Sequence, residues 1–181
     1  MNNMTIDTVT NTFMQSIENP ILTTFSKVVA HIFEPLVLLI IAILIAIYVY
    51  FKISKKKGIC FVLTIFVTGV LIKVFKGLFQ RARPLNMLMT ESGLSLPSGH
   101  ATTALVFFGL IAYLFANKKY KFTAITTTSL IILLTGFTRI YLRVHWLTDV
   151  LAGFILGGII LTASIIIYEK FSLLNKHRRH S

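Results

Sequence analysis

Five uninterrupted apolar stretches, roughly residues 35–53, 58–76, 99–117, 122–140 and 147–168, constrain this chain more than any other feature. As α-helices of about 19–22 residues they would measure about 28–33 Å, the thickness of a bilayer's hydrocarbon core. A backbone in lipid must satisfy its own hydrogen bonds, which leaves helices or a closed barrel. None of the stretches alternates as a barrel strand would, so the expected fold is an all-α membrane bundle of about five transmembrane helices. Composition agrees: 13% of the 181 residues are charged, against about 25% in a typical soluble domain. The lone Cys60 rules out a disulfide framework and a cysteine metal site. The opening residues show no basic region followed by a short apolar core, so no cleaved signal peptide is expected. There is no internal repeat or linker.

The loops orient the bundle. A formal net charge of +12 first points to nucleic acid, but the basic residues fall between apolar segments, where membrane orientation accounts for them. Lys52, Lys55, Lys56 and Lys57, then Lys118, Lys119 and Lys121, then Lys170, Lys176, Arg178 and Arg179 share one face after five crossings. They make up 11 of the 18 basic residues. That face is expected to be cytoplasmic, which puts the N-terminus, the 77–98 loop and the 141–146 connection outside. Residues 21–33 place apolar groups at helical spacing behind Asn19 and Pro20, an N-cap and first-turn pair. They read as an interfacial helix on the outer leaflet, or as a helix packed on the bundle. His31 falls on its polar edge.

Three clusters reach the outer face. Lys76 and Arg83 lie seven apart, ahead of Pro84; Pro97-Ser98-Gly99-His100 opens the third long helix; Arg139 closes the fourth, with His145 and Asp149 four apart where the fifth begins. One ligand unites them. Lys76, Arg83 and Arg139 only donate, and guanidinium planes match phosphate oxygens in pairs. The Ser98 and Gly99 amides stand at a helix N-terminus, where free N–H groups favour an anion. His145 and Asp149 can hydrogen-bond at i,i+4, leaving one ring nitrogen free to attack, and His100 is a separate imidazole able to protonate a leaving oxygen. Three cations, two imidazoles and one carboxylate make a poor metal site and a good phosphate site. Each piece alone has a plainer explanation. Lys73, Lys76, Arg81 and Arg143 could snorkel to headgroups, His145–Asp149 could be a structural pair, Trp146 an interfacial anchor, and Gly153 with Gly157 a helix-packing pattern.

With these motifs in order, the chain resembles the type 2 phosphatidic acid phosphatases, which share their phosphate site with vanadium haloperoxidases. The family pattern K-x6-RP, PSGH, SR-x5-H-x3-D appears as Lys76 to Arg83-Pro84, Pro97 to His100, and Thr138-Arg139 to His145 to Asp149, with Thr138 for serine the only departure. The likeness covers about residues 58–168. It implies that His145 attacks phosphorus with Asp149 orienting it, that His100 protonates the leaving group, and that Lys76, Arg83, Ser98, Gly99 and Arg139 hold the phosphoryl oxygens. No metal or cofactor is implied. The family commonly has six membrane helices, and the amphipathic N-terminal segment stands here in place of the first.

The resulting expectation is a multi-pass cell-membrane lipid phosphatase with its site on the extracytoplasmic face. Residues 1–34 form the interfacial segment, 35–168 the membrane core and 169–181 a basic cytoplasmic tail. Its partners are the bilayer and a lipid substrate, not nucleic acid, and the sequence leaves the oligomeric state open. The bacterial members it resembles hydrolyse phosphatidylglycerophosphate, phosphatidic acid and undecaprenyl diphosphate. The branch dedicated to undecaprenyl diphosphate commonly has an acidic residue where this chain has Gly99, which tilts the reading toward phosphatidylglycerophosphate. The rival classes are a lipid-binding or transport protein, which would not need the histidines, and a vanadate-dependent oxidase, whose relatives are soluble.

Overall fold

A computed structural model describes residues 5–177, with side chains through Ser172. Arg178 and Arg179 of the expected tail lie outside the described residues. Seven α-helices follow in order: α1 (Ile6–Ser16), α2 (Pro20–Ile32), α3 (Pro35–Lys52), α4 (Lys55–Phe79), α5 (Gly99–Phe115), α6 (Lys121–Tyr141) and α7 (Leu147–His177), with a single 3₁₀ turn at Lys118–Tyr120 before α6. Local signals set the boundaries. Pro35 opens α3, the Ser54 hydroxyl accepts from the Lys57 amide to cap α4, and Gln80 ends α4 in the left-handed region at φ 46°.

Among the described residues, four elements are long and apolar enough to cross a membrane: Pro35–Lys52, Lys55–Phe79, Lys118–Tyr141 and Leu147–Ser172. The fifth apolar helix, α5, is shorter at 17 residues. It is also the central one, packed against α3, α4, α6 and α7, and its Ala101, Ala104, Val106 and Leu110 are fully buried. Each of the five expected segments is a helix. The last runs on to His177, so the expected boundary at 168 is not a structural break. Close packing fixes where α7 crosses α5. A Cβ at Gly153 would stand 2.8 Å from the Ser98 carbonyl oxygen, and one at Gly157 would be 3.1 Å from that of Thr102. The two glycines therefore serve packing, and that packing brings the start of α7 against the Pro97–His100 turn.

The N-terminal segment is two helices, not one. α1 begins at the Thr5 cap with Asp7 in its first turn, and its short Thr-rich pattern did not mark it as a helix in the sequence. α2 starts where expected, with Asn19 Oδ1 accepting from the Leu22 amide at 2.9 Å, a cap of about 1 kcal/mol. α2 packs on α6, its Ser26, Val29 and Ala30 are buried, and the buried Tyr141 hydroxyl accepts from the Asn19 amide at 3.1 Å. Met14, Ala30, Tyr141, Leu142 and Val144 form a second apolar core beneath α1 and α2. Ile6, Val9 and Phe13 of α1 and Ile21, Phe25, Val28 and Ile32 of α2 remain exposed. Both helices thus cover the end of the bundle and still present apolar side chains outward. His31 is exposed, as its polar-edge position implied.

Candidate active site

The site lies where the 80–98 loop, the N-terminus of α5 and the α6–α7 connection meet. The connection is held rigidly. Arg143 takes φ 54°, in the left-handed region uncommon for a side-chain-bearing residue. Its guanidinium donates to the Asn86 carbonyl at 2.7 Å and to Glu18 at 2.8 Å. It is 4% exposed, so Arg143 folds inward and does not snorkel. Trp146 is fastened as well, donating from Nε1 to the Ala82 carbonyl at 3.0 Å, with the Arg81 guanidinium 5.6 Å from its ring centre.

This rigid turn presents His145, which is 3% exposed. Its Nε2 lies 3.1 Å from Arg83 Nη1. A guanidinium can only donate, so Nε2 is the acceptor and the ring proton of the neutral imidazole sits on Nδ1. Nδ1 faces Asp149 Oδ2 at 3.4 Å, an ion-pair separation rather than a well-formed hydrogen bond, and Nδ1 has no hydrogen-bond partner among the described residues. Burial pushes the His145 pKa down to about 4, the Arg83 and Arg139 charges push the same way, and Asp149 opposes them. The neutral form is therefore favoured at neutral pH. Asp149 is fully buried and also caps α7, its Oδ2 accepting from the Trp146 amide at 2.9 Å.

Arg83 ties the loop to the turn. It donates to the carbonyls of Gly93 at 3.1 Å, Ser92 at 3.2 Å and Val144 at 2.7 Å. Lys76 donates to the Leu94 carbonyl and is within electrostatic reach of Arg83, Arg139, Glu91 and Asp149. Arg139 is 0% exposed; it pairs through Nη2 with Glu91, while its Nε and Nη1 are buried without a hydrogen-bond partner among the described residues. An orphaned buried donor costs about 1–3 kcal/mol. Such donors are what an arriving phosphate would satisfy.

The α5 turn departs from expectation in one respect. The Ser98 amide donates to the Asp149 carbonyl at 3.0 Å, so it is not a free anion donor. The Ser98 hydroxyl caps the helix by accepting from the Ala101 amide, which leaves the Gly99 and His100 amides as the first-turn N–H groups without helical partners. A Cβ on Gly99 would meet only Ile72 and Pro35, at 3.8 and 3.9 Å, so no protein contact forces glycine there. His100 is buried with Nε2 3.3 Å from the Ala30 carbonyl of α2, and lies within electrostatic reach of Arg139 and His145.

Sequence reasoning missed the carboxylates' partners. Glu91 meets Arg139 and stands 3.7 Å from Arg83. Arg81, read as a snorkelling candidate, instead bonds Asp149 and Asp7. The available signal was compositional: five of the six acids fall at the end of the bundle opposite the lysine-rich turns, the end poorer in cations.

Fold and site together define a helical membrane bundle with a cluster of cationic side chains beside a buried histidine. Residues 57–172 match the PAP2 superfamily model, and the chain belongs to that superfamily. It is similar to phosphatidylglycerophosphatase B of Bacillus subtilis, 33% identical over 71% of this chain and 66% of that protein. An undecaprenyl-diphosphatase of Sulfolobus acidocaldarius is 30% identical over 62% of this chain and 56% of its own length. A lipid A 1-phosphatase of Rhizobium etli is 32% identical over 62% and 51%. The chain thus spans between half and two thirds of these relatives. The crystal structure of a transmembrane PAP2-type phosphatidylglycerolphosphate phosphatase from Bacillus subtilis superposes with TM-score 0.84 at 30% identity, covering 91% of this chain and 85% of that one. LpxE of Aquifex aeolicus shares the fold, with TM-score 0.73 at 23% identity over 91% of this chain and 98% of that one.

Proposed function

We propose that this chain is a membrane lipid phosphatase that removes a terminal phosphate through a phosphohistidine on His145, without a metal. The observation that carries the reading is the pair of orphaned donors on fully buried Arg139, in one site with an unprotonated His145 Nε2. In the reaction the Nε2 lone pair attacks phosphorus and the bond to the leaving oxygen breaks. His100 gives that oxygen a proton. With Nε2 facing the Ala30 carbonyl, Nδ1 is the His100 atom left to carry that proton, taken up when the negative charge of the bound phosphate favours the imidazolium. Lys76, Arg83, Arg139 and the Gly99 and His100 amides hold the charge that builds on the phosphoryl oxygens, with the Ser98 hydroxyl at the same turn. Water then attacks the phosphohistidine, the P–N bond breaks, His100 takes the water's proton, and phosphate leaves.

The relatives' names share one chemistry, a phosphate carried on a membrane lipid. Phosphatidylglycerophosphate is the favoured substrate because both the B. subtilis protein and the B. subtilis crystal structure carry that name. Phosphate release by purified protein from phosphatidylglycerophosphate, phosphatidic acid and undecaprenyl diphosphate tests this. The expected result is release that His145→Ala abolishes, vanadate inhibits and chelator leaves intact. Retained lipid binding with no turnover in the unmodified protein would favour a binding protein. Loss with chelator, restored by Mg²⁺ or Zn²⁺, would overturn the metal-free reading.

The lysine-rich turns support an extracytoplasmic site. In a Cys60→Ala background, a cysteine replacing exposed Ser92 should react with a membrane-impermeant reagent in intact cells, and one replacing exposed Asn117 only after lysis. The reverse pattern would move the site to the cytoplasmic leaflet.

A further inference from the structure

The Asp149 carboxylate serves more than His145. Its Oδ1 accepts from Arg81 Nη1 at 2.8 Å. The same Nη1 reaches the Thr148 hydroxyl at 2.6 Å, and Nη2 reaches Asp7 Oδ2 at 2.5 Å. Asp7 closes the network from α1, 142 positions before Asp149 in the chain. Its Oδ1 accepts from the Thr148 amide at 2.9 Å and its Oδ2 from the Thr148 hydroxyl at 2.7 Å. Asp7 is 7% exposed and Asp149 0%. An amphipathic helix at the outer end of the bundle therefore grips both Arg81 and the residue next to Asp149.

We propose that Asp7 and Arg81 are positioning residues for phosphoryl transfer, through which α1 sets the place and effective charge of Asp149 against His145. This rests on the reading of His145 as nucleophile. Arg81 alone would draw on the negative charge that Asp149 needs to stabilise the imidazolium. Asp7 gives Arg81 a second carboxylate, so the guanidinium fork anchors Asp149 while its charge is largely spent on Asp7. Burial would raise the Asp7 carboxyl, but its bonds from Thr148 and Arg81 outweigh that and hold it below the usual carboxylate range. It is ionised wherever the enzyme would work. The other charges around the His145–Asp149 pair are Lys76 of α4, Arg83 and Glu91 of the loop, His100 of α5 and Arg139 of α6. All are unchanged in the variants below.

The two residues act on His145 with opposite sign, which an ordinary structural role does not do. Arg81→Gln removes a positive charge beside Asp149 and favours the imidazolium. Asp7→Asn leaves Arg81 uncompensated and disfavours it. The test uses purified full-length protein and measures kcat, KM and the pH profile of kcat/KM for Asp7→Asn, Arg81→Gln, Arg81→Lys and the double variant. Each single change should lower kcat about tenfold with KM within about twofold, a loss typical of misplaced catalytic groups. The acid limb should move up by roughly one pH unit in Arg81→Gln, and stay or move down in Asp7→Asn. Arg81→Lys should restore the limb without restoring kcat, and the double variant should lose less than the product of the singles. A limb unmoved in Arg81→Gln, or raised equally in both, overturns the proposal, as do multiplicative losses. If Arg81→Gln does not fold, Asp7→Asn and Arg81→Lys decide alone: kcat unchanged in both overturns it. Turnover retained in His145→Ala would instead sink the nucleophile reading beneath it, whereas a dead His145→Ala with unaltered Asp7 and Arg81 variants sinks only this inference.

Discussion

The two ends of this bundle use charge in opposite ways. At the lysine-rich end Lys52, Lys55, Lys56, Lys118, Lys119, Lys121 and Lys170 are exposed. At the other end Asp149 and Arg139 are fully buried, and His145, Arg143 and Asp7 nearly so. Exposed charges there would only orient the chain. Buried ones must be paired, because an unpaired ion in a low-dielectric interior costs several kcal/mol. Asp7, Glu18, Glu91 and Asp149 each meet an arginine. Sign of charge therefore says little about role in this protein, and burial with partnering says most.

The comparison breaks first at Arg139. Removing its orphaned donors should cost at least about 10³-fold in kcat in Arg139→Ala, since single oxyanion donors are worth about 10²–10³. Arg139→Lys, which keeps the charge but not the fork, should still lose about 10²-fold. Substituting Lys118 or Lys119 by Gln should leave phosphate release within about twofold, so a comparable loss there would erase the distinction between the ends. The measurement is turnover on one lipid phosphate at saturating concentration.

The role proposed for His100 depends on the leaving group. His100→Ala should lose about 10²-fold on a lipid phosphate, in line with general acid catalysis, and clearly less on an activated aryl phosphate that departs without a proton. Equal losses on both would remove His100 from that role.

The fold was legible because five segments of membrane length leave the backbone few choices, and their observed helices differ mainly at the ends. The expected site residues are gathered at one end by the three motifs. What the sequence hid was pairing across distance. Nothing in "FQRARP" tells which arginine turns to His145 and which to Asp149, because that depends on the loop's path back to Ser95, whose amide donates to the Arg81 carbonyl at 2.8 Å. The Ser98 amide was assigned to the ligand because helix-start amides are usually free, yet the Gly153 crossing brings α7 close enough for Asp149 to accept it. α1 escaped notice since its buried face is only Asp7 and Met14.

A buried histidine held near pKa 4 sharpens the contrast through pH. Its folded-state value lies below the unfolded one of about 6.5, so the unfolded chain binds the proton first. Stability from this group is present above about pH 6.5 and is lost as pH falls toward 4. Tm measured across that window should fall more steeply in the unmodified protein than in His145→Gln. Parallel curves would mean His145 is more hydrated than its burial implies.

Glu91 offers a few-fold effect. Its carboxylate pairs with Arg139 and approaches Arg83, two donors assigned to phosphate, so it competes with an incoming anion. Glu91→Gln should tighten inhibition by vanadate or inorganic phosphate about three- to tenfold, the scale of a typical local charge coupling of about 1 kcal/mol. Weaker inhibition would instead mean that Glu91 holds the arginines in the shape phosphate needs.

The smallest effect comes from a lysine at the lysine-rich end that breaks the pattern. Lys57 is half-buried, donates from Nζ to the Leu114 carbonyl at 2.6 Å and stands over the Phe115 ring at 5.3 Å. Leu114 is in the last turn of α5, whose final carbonyls lack helical partners and carry the negative end of the helix dipole. Lys57 thus caps the central helix from α4, at the end opposite the proposed chemistry. A cation there is worth about 0.3–1 kcal/mol, so Lys57→Met should lower Tm by a few degrees at most. Phosphate release per folded molecule should stay within about twofold, and Lys56→Met, exposed next to it, should change neither. Loss of turnover in Lys57→Met at unchanged Tm would show that the two ends of α5 are coupled and that the division between them is less complete than burial implies.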